Sequence, residues 1–129
     1  MFKNKFFFIV FEGIEGTGKS YQINKLYKNL KKLGYDIKKT REPGGSKTAE
    51  KIRSLIFSKT ANKFDKLTDY YLMNAARNEH VNKTLLLFKK QKKIVICDRF
   101  IDSTYAYQVI ANNISNNINV INQKYILKD

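Results

Sequence analysis

Phe6-Phe7-Phe8-Ile9-Val10-Phe11-Glu12-Gly13-Ile14-Glu15-Gly16-Thr17-Gly18-Lys19-Ser20 is the stretch whose reading decides the fold. Its first six residues form an unbroken apolar, β-prone run, the pattern of a parallel strand buried on both faces. The run closes on a glycine-rich turn that meets G-x-x-x-x-G-K-[ST] at every defined position from Gly13 to Ser20. Glycines so placed let backbone N–H groups curl around phosphate oxygens, Lys19 reaches the β- and γ-phosphates of a nucleotide, and the Ser20 hydroxyl is a magnesium ligand. A glycine-rich strand-to-helix turn with no ligand is the plainer reading. The context argues against it: an apolar strand precedes the turn, and Ile23, Leu26, Leu30 and Leu33 follow at helical spacing until Gly34 supplies a stop.

Outward from this unit the chain keeps alternating. Residues 36–40 read as a second strand, weakened by lysines, and residues 41–46 read as a loop on turn chemistry alone. A helix follows with Ile52, Leu55 and Ile56 on one face, then a long helical stretch over residues 67–90 without Gly or Pro. Ile94-Val95-Ile96-Cys97 is a third buried strand, ending at Asp98-Arg99. Residues 103–111 begin another helix, and the Asn- and Ile-rich tail from residue 112 gives no clear signal. Strands alternating with helices predict an α/β fold with a parallel sheet. No internal repeat or dividing linker interrupts the 129 residues, so one domain is expected.

Composition narrows the class. At 43% hydrophobic and 13% aromatic residues the chain can bury a core. The formal charge of +14, from 25 basic and 11 acidic side chains, suits polyanionic partners. Compositional drift toward Lys, Asn and Ile yields the same charge with no nucleic-acid role. One cysteine, Cys97, excludes an internal disulfide and reads as a packed strand residue. No apolar stretch is long enough to span a bilayer, and residues 1–5 carry no signal-peptide pattern, so a cytoplasmic location is expected.

Four side chains stand out against the lysine background: Arg41, Arg53, Arg77 and Arg99. Arginine engages phosphate or a base edge bidentately, which lysine cannot. Singly each reads as a surface salt bridge; beside a phosphate loop they suggest a second anionic substrate next to the first. Asp98 arrives at the carboxyl end of a strand, where open parallel sheets bind ligands, and is placed to hold magnesium. His80 is the one histidine, so no histidine metal cluster can form, and it reads as a half-buried helix residue. Phe100, Tyr105 and Tyr107 fit either base stacking or core.

Phe11-Glu12-Gly13, Thr40-Arg41-Glu42-Pro43-Gly44-Gly45, Ala75-Ala76-Arg77 and Asp98-Arg99-Phe100-Ile101-Asp102-Ser103-Thr104-Tyr105-Ala106-Tyr107-Gln108 together resemble the thymidylate kinase family, in order and spacing, over residues 6–108. The resemblance implies a P-loop NTPase-type sheet of order 2-3-1-4-5 with flanking helices, and transfer of a phosphoryl group from ATP, with Mg2+, to dTMP, giving dTDP for dTTP synthesis. By position, Gly13, Ile14, Glu15, Gly16, Thr17, Gly18, Lys19 and Ser20 would hold the ATP phosphates. Ser20 and Asp98 would hold the metal. Glu15 would contact the dTMP sugar or the magnesium, and Lys19, Glu15 and Arg99 would serve transfer. Arg99 and Arg53 would bind the dTMP phosphate, with Arg41 beside them. Arg77 would reach the thymine edge, and Thr104, Tyr107 and Gln108 would line the nucleoside pocket, the tyrosine excluding a 2′-OH. Met73 stands where the family has a stacking phenylalanine, trading aromatic stacking for a polarisable sulfur.

Complete members continue through a basic lid and further strands, so the chain is expected to be an N-terminal part of one kinase domain, truncated before them. With no basic residue among Ile14, Glu15, Gly16 and Thr17, the catalytic arginine is expected from that lid, an element worth about 10³–10⁵ in rate. The 129 residues alone are accordingly expected to show little activity and, with residues 6–11 as an open apolar edge, poor solubility. The expected partners are ATP and dTMP, without specific nucleic acid or membrane, and a homodimer is compatible with the family. Two other readings stay open: a different nucleoside monophosphate kinase, and a non-catalytic nucleotide- or nucleic-acid-binding remnant.

Overall fold

The structure, a computed structural model, describes residues 4–59 and 63–127. The first three residues of the segment read for a signal peptide, and the last two of the tail, lie outside them. Three parallel strands, β1 (Phe7–Phe11), β2 (Ile37–Arg41) and β3 (Ile94–Asp98), form a sheet of order β1-β3-β2. This is the 2-3-1 portion of the expected order. Phe11 and Arg41 both lie in register with Asp98, so all three strands end at one level.

β3, in the middle, is buried along residues 94–97 and alternates strictly between faces. Ile94 and Ile96 join Phe7, Ile9 and Ile37 beneath helix α1 (Lys19–Lys32), with Ile23, Leu26 and Leu30 from the helix. Val95 points the other way, with Phe8 and Phe100, and packs against Val81, Leu85 and Ile126. Each fully buried Val or Ile contributes about 1.5–3 kcal/mol. A strand covered on both faces must be apolar throughout, which is why β1 and β3 read as unbroken runs.

α1 stops where expected. Gly34 adopts φ +81°, and the N–H groups of Gly34 and Tyr35 turn back to Lys31 and Leu30 carbonyls at 3.0 and 3.2 Å. Leu33 falls beyond the last turn and is exposed. Ser46 caps α2 (Lys47–Ile56), its hydroxyl oxygen accepting from Ala49 N–H at 3.1 Å. Ile52 and Ile56 are half-buried, while Leu55 is exposed. The long helical stretch is α3 (Lys66–His80), a π-helical segment (Val81–Leu85) and α4 (Leu86–Lys90) in direct succession. After β3 come α5 (Ile101–Thr104) and a second π-helical segment (Tyr105–Ile110), a start two residues earlier than read. The tail is not irregular: α6 (Asn116–Leu127) packs on α3, where Asn122 Nδ2 donates to the Tyr70 hydroxyl at 3.1 Å. Asparagine-rich composition hid a helix held by tertiary hydrogen bonds. Among the described residues no helix is long and apolar enough to cross a membrane.

Candidate functional site

Because the strands end together, the segments that follow them converge. Residues 13–18 leave β1, residues 42–46 leave β2, and Arg99 and Phe100 leave β3. Hydrogen bonds lock the three: Arg99 N–H donates to Phe11 O at 2.9 Å, and Glu42 N–H donates to Asp98 O at 3.0 Å. Glu12 adds a clamp. Its carboxylate accepts from Phe100 N–H at 2.8 Å, from Ser103 N–H at 3.3 Å and from the Ser103 hydroxyl, tying the base of the glycine turn to the start of α5.

The turn has the form its sequence requires. Gly16 and Gly18 take φ +79° and +80°, left-handed conformations that cost an L side chain about 1–2 kcal/mol. Thr17 Oγ1 donates to Ile14 O at 2.8 Å and pins the loop. α1 begins directly after Gly18 without a side-chain cap, so its first N–H groups remain available to an anion. Lys19 is salt-bridged to Asp98 across 79 residues of sequence. The loop cleft, about 440 Å³, is lined by Ile14, Glu15, Lys19, Ser20, Asp98 and Arg99, among others.

A second cleft of about 590 Å³ opens beside it. Met73, Arg77, Tyr107 and Gln108 line it, together with Arg41, Glu42 and Pro43. Glu15, Arg53, Asp98 and Arg99 line both clefts, and so form the partition between them. The volume lies within the usual range for small-molecule sites, about 300–1,000 Å³.

Arg53 and Arg99 enter no salt bridge among the described residues. Arg53 Nη1 donates to Pro43 O at 2.8 Å, and its guanidinium lies 4.9 Å from the Phe57 ring centre. Burial, and then the neighbouring Arg41 charge, hold Arg53 below the ordinary arginine value, as expected of a cation short of an anion. Arg99 sits at φ +68°, strained for a non-glycine. It donates to Ser103 Oγ at 3.3 Å and lies 5.6 Å from the Tyr107 ring centre. Arg41 is different: it pairs with Glu50 at 2.9 Å on the surface, and that hydrogen bond raises its pKa.

Arg77 is 1% exposed. Its Nε donates to Glu42 Oε2 at 2.7 Å, and its Nη2 donates to Thr104 Oγ1 at 2.7 Å and Phe100 O at 3.0 Å. Nη1 is buried with no hydrogen-bond partner among the described residues. Thr104 is fully buried behind this guanidinium and reaches the cleft only through it. Gln108 Nε2 donates to Asp69 Oδ2 at 3.2 Å, while its buried Oε1 has no hydrogen-bond partner among the described residues. Tyr107 and Gln108 both fall in the π-helical turn, so the cleft wall is built from the irregular part of the helix. Phe100 is half-buried: its ring packs edge-on to Phe8 at 4.9 Å and also lines the second cleft. Burial pushes the Cys97 thiol far up, leaving it a packed strand residue.

Sequence reading assigned no role to Glu12, Glu42 or His80. His80 is fully buried rather than half-buried, with both ring nitrogens engaged. A glutamate beside each loop, in a chain with 11 acidic residues, was the available signal.

Fold and site together define an α/β protein of the P-loop NTPase type. The thymidylate kinase family model matches residues 11–128. Thymidylate kinase of Bartonella quintana (strain Toulouse) is 43% identical over 112 residues, 87% of this chain and 52% of that protein. Its counterpart from Caulobacter vibrioides is 48% identical over 102 residues, 79% of this chain and 49% of that protein. The crystal structure of thymidylate kinase from Ehrlichia chaffeensis matches with TM-score 0.85 at 38% identity, covering 95% of this chain and 68% of that one. The chain belongs to the thymidylate kinase family, and it spans about half the length of these two relatives.

Proposed function

We propose that this chain supplies the phosphate loop and the acceptor cleft of a kinase that moves a phosphoryl group from ATP to dTMP, forming dTDP for dTTP synthesis. The observation that carries the reading is the shared partition: two adjacent clefts, one at a phosphate loop, divided by Arg53 and Arg99, neither of which enters a salt bridge among the described residues. Such a partition suits the point where two phosphate chains meet.

Phosphoryl transfer asks a protein chiefly for positioning and charge neutralisation. The turn amides and Lys19 would cradle the ATP phosphates, which offer Lys19 a second anion besides Asp98. Arg99 and Arg53 would hold the monophosphate in line with the γ-phosphate. Glu15, on the same partition, would face the sugar or the metal. Arg77, through Nη1, would donate to the base edge, with Met73 against the base face and Tyr107 and Gln108 along the nucleoside. The acceptor phosphate is already anionic and needs no general base.

The hard oxygen donors Ser20 and Asp98 line the loop cleft together, and no group of three acidic, His or Cys side chains competes for a cation among the described residues. That donor set fits Mg2+, which prefers one or two protein oxygens plus phosphate. When bound, Mg2+ supplies neutralisation of the β- and γ-phosphate charge. The same reading takes the chain as part of one kinase domain acting on small molecules in the cytoplasm, with homodimerisation as the one protein contact anticipated.

Calorimetric titration tests it. Mg–ATP and dTMP are expected to bind at separate, simultaneously occupied sites, with dTMP preferred over dUMP, dCMP and AMP. Failure of both ligands to bind would sink the proposal. Oligonucleotide binding with a steep salt dependence, in place of dTMP binding, would establish the non-catalytic remnant instead.

A further inference from the structure

A line of buried polar groups runs behind the acceptor cleft. Glu42 is 4% exposed and divides its carboxylate: Oε2 accepts from Arg77 Nε at 2.7 Å, and Oε1 accepts from His80 Nδ1 at 2.8 Å. On the far side of the ring, His80 Nε2 lies 2.6 Å from Thr40 Oγ1. Gly45 closes the line, because a Cβ there would collide with the His80 ring and the Thr40 hydroxyl. The polypeptide thus keeps a bare backbone at Gly45 to let the histidine seat.

We propose that Glu42, backed by His80 and Thr40, is the positioning residue that sets the rotation of the Arg77 guanidinium, leaving Nη1 as the nitrogen offered to the base of the monophosphate. The inference rests on the functional reading above and deepens it. A guanidinium carries five donors in a rigid fork, and a buried one rotates until its partners are satisfied. Here Glu42 takes Nε, and Thr104 with Phe100 O takes Nη2. Among the described residues only Nη1 is left without a hydrogen-bond partner. Glu42 also balances the Arg77 charge, and a carboxylate can do so only if its second oxygen is satisfied, which is the task of His80.

The geometry assigns a proton. A carboxylate only accepts, so His80 carries hydrogen on Nδ1. In Glu42→Gln the amide oxygen can still accept from Arg77 Nε, and the amide N–H then meets the ring. The ring must respond by baring Nδ1, carrying its proton on Nε2 and donating to Thr40 Oγ1. Shape and hydrogen bonds survive, while the charge balance of Arg77 is lost.

This chain has one histidine, so its nitrogen NMR signals need no assignment. The unaltered 129-residue chain is expected to show a proton on Nδ1, and Glu42→Gln to show Nε2–H with bare Nδ1. An unprotonated Nδ1 in the unaltered chain would overturn the proposal. The second readout titrates dTMP and, separately, 2-deoxyribose 5-phosphate, which has the phosphate but no base. Glu42→Gln is expected to weaken dTMP about tenfold, the scale of a lost charge-assisted contact, and to leave the sugar phosphate unchanged. Equal weakening of both would mean Glu42 merely holds the fold, and no weakening of either would mean Arg77 is set without it. Thr40→Val, which trims the outer end of the line, is expected to give a smaller loss of the same selectivity. Should the unaltered chain ignore dTMP, the functional reading fails, while the histidine spectrum still decides the Glu42 contact.

Discussion

Residues 13–20 are contiguous, largely exposed, and shaped by backbone conformation, with Gly16 and Gly18 in the left-handed region and side-chain bonds from Thr17 to Ile14 O and from Lys19 to Asp98. The wall of the acceptor cleft, with the polar groups behind it, is the reverse. Arg77, Glu42 and His80 are 1%, 4% and 0% exposed, and they come from α3 and the loop after β2. The loop's exposed side chains can be mutated without disturbing the core, because water already solvates them. The wall cannot, because each charge there is compensated only by another side chain. One region risks the ligand; the other risks the fold.

The comparison breaks most readily at Arg77. Arg77→Ala leaves Glu42 buried beside an empty space, and the expected cost is about 3–5 kcal/mol in urea unfolding. A loss under about 1 kcal/mol would show that water reaches the carboxylate and that the wall behaves like the loop. Next comes Lys19→Ala. Its partner Asp98 keeps 31% of its side chain exposed, so stability should hold while Mg–ATP affinity falls by about 1.5–3 kcal/mol in calorimetry. Equal damage to both quantities would erase the distinction.

Gly18→Ala sharpens it further. Nothing lies within 4 Å of the added Cβ, so the expected loss of about 1–2 kcal/mol is backbone strain alone, read as a lowered melting temperature. The smallest effect belongs to Glu50, which pairs with Arg41 at the surface. The Arg41 hydrogen bond, followed by the Gly45 N–H, holds the Glu50 carboxyl below the ordinary carboxylate range. A depressed value means its stabilisation is complete above that range and fades as pH falls through the lowered one. Glu50→Gln should therefore cost about 0.5 kcal/mol at neutral pH, a screened surface pair, with the gap from the unaltered chain closing below about pH 4.

The sequence alone determined the strand–turn–helix unit and the three strands of a parallel sheet. These rest on short-range rules: apolar periodicity, and glycines where the backbone must turn around phosphate. It also singled out Arg53, Arg77 and Arg99 by residue type. Only the tertiary structure decided that Arg53 and Arg99 stand on a shared partition with no salt bridge among the described residues, while Arg41 pairs with Glu50. The same holds for Thr104 serving Arg77 rather than the cleft, for the π-helical turn presenting Tyr107 and Gln108, and for a helix over an asparagine-rich tail. The physical reason is separation: Glu42 meets Arg77 across 35 residues and His80 across 38. A contact of that span has no local signature, because which carboxylate a buried cation finds is settled only when the core closes around both.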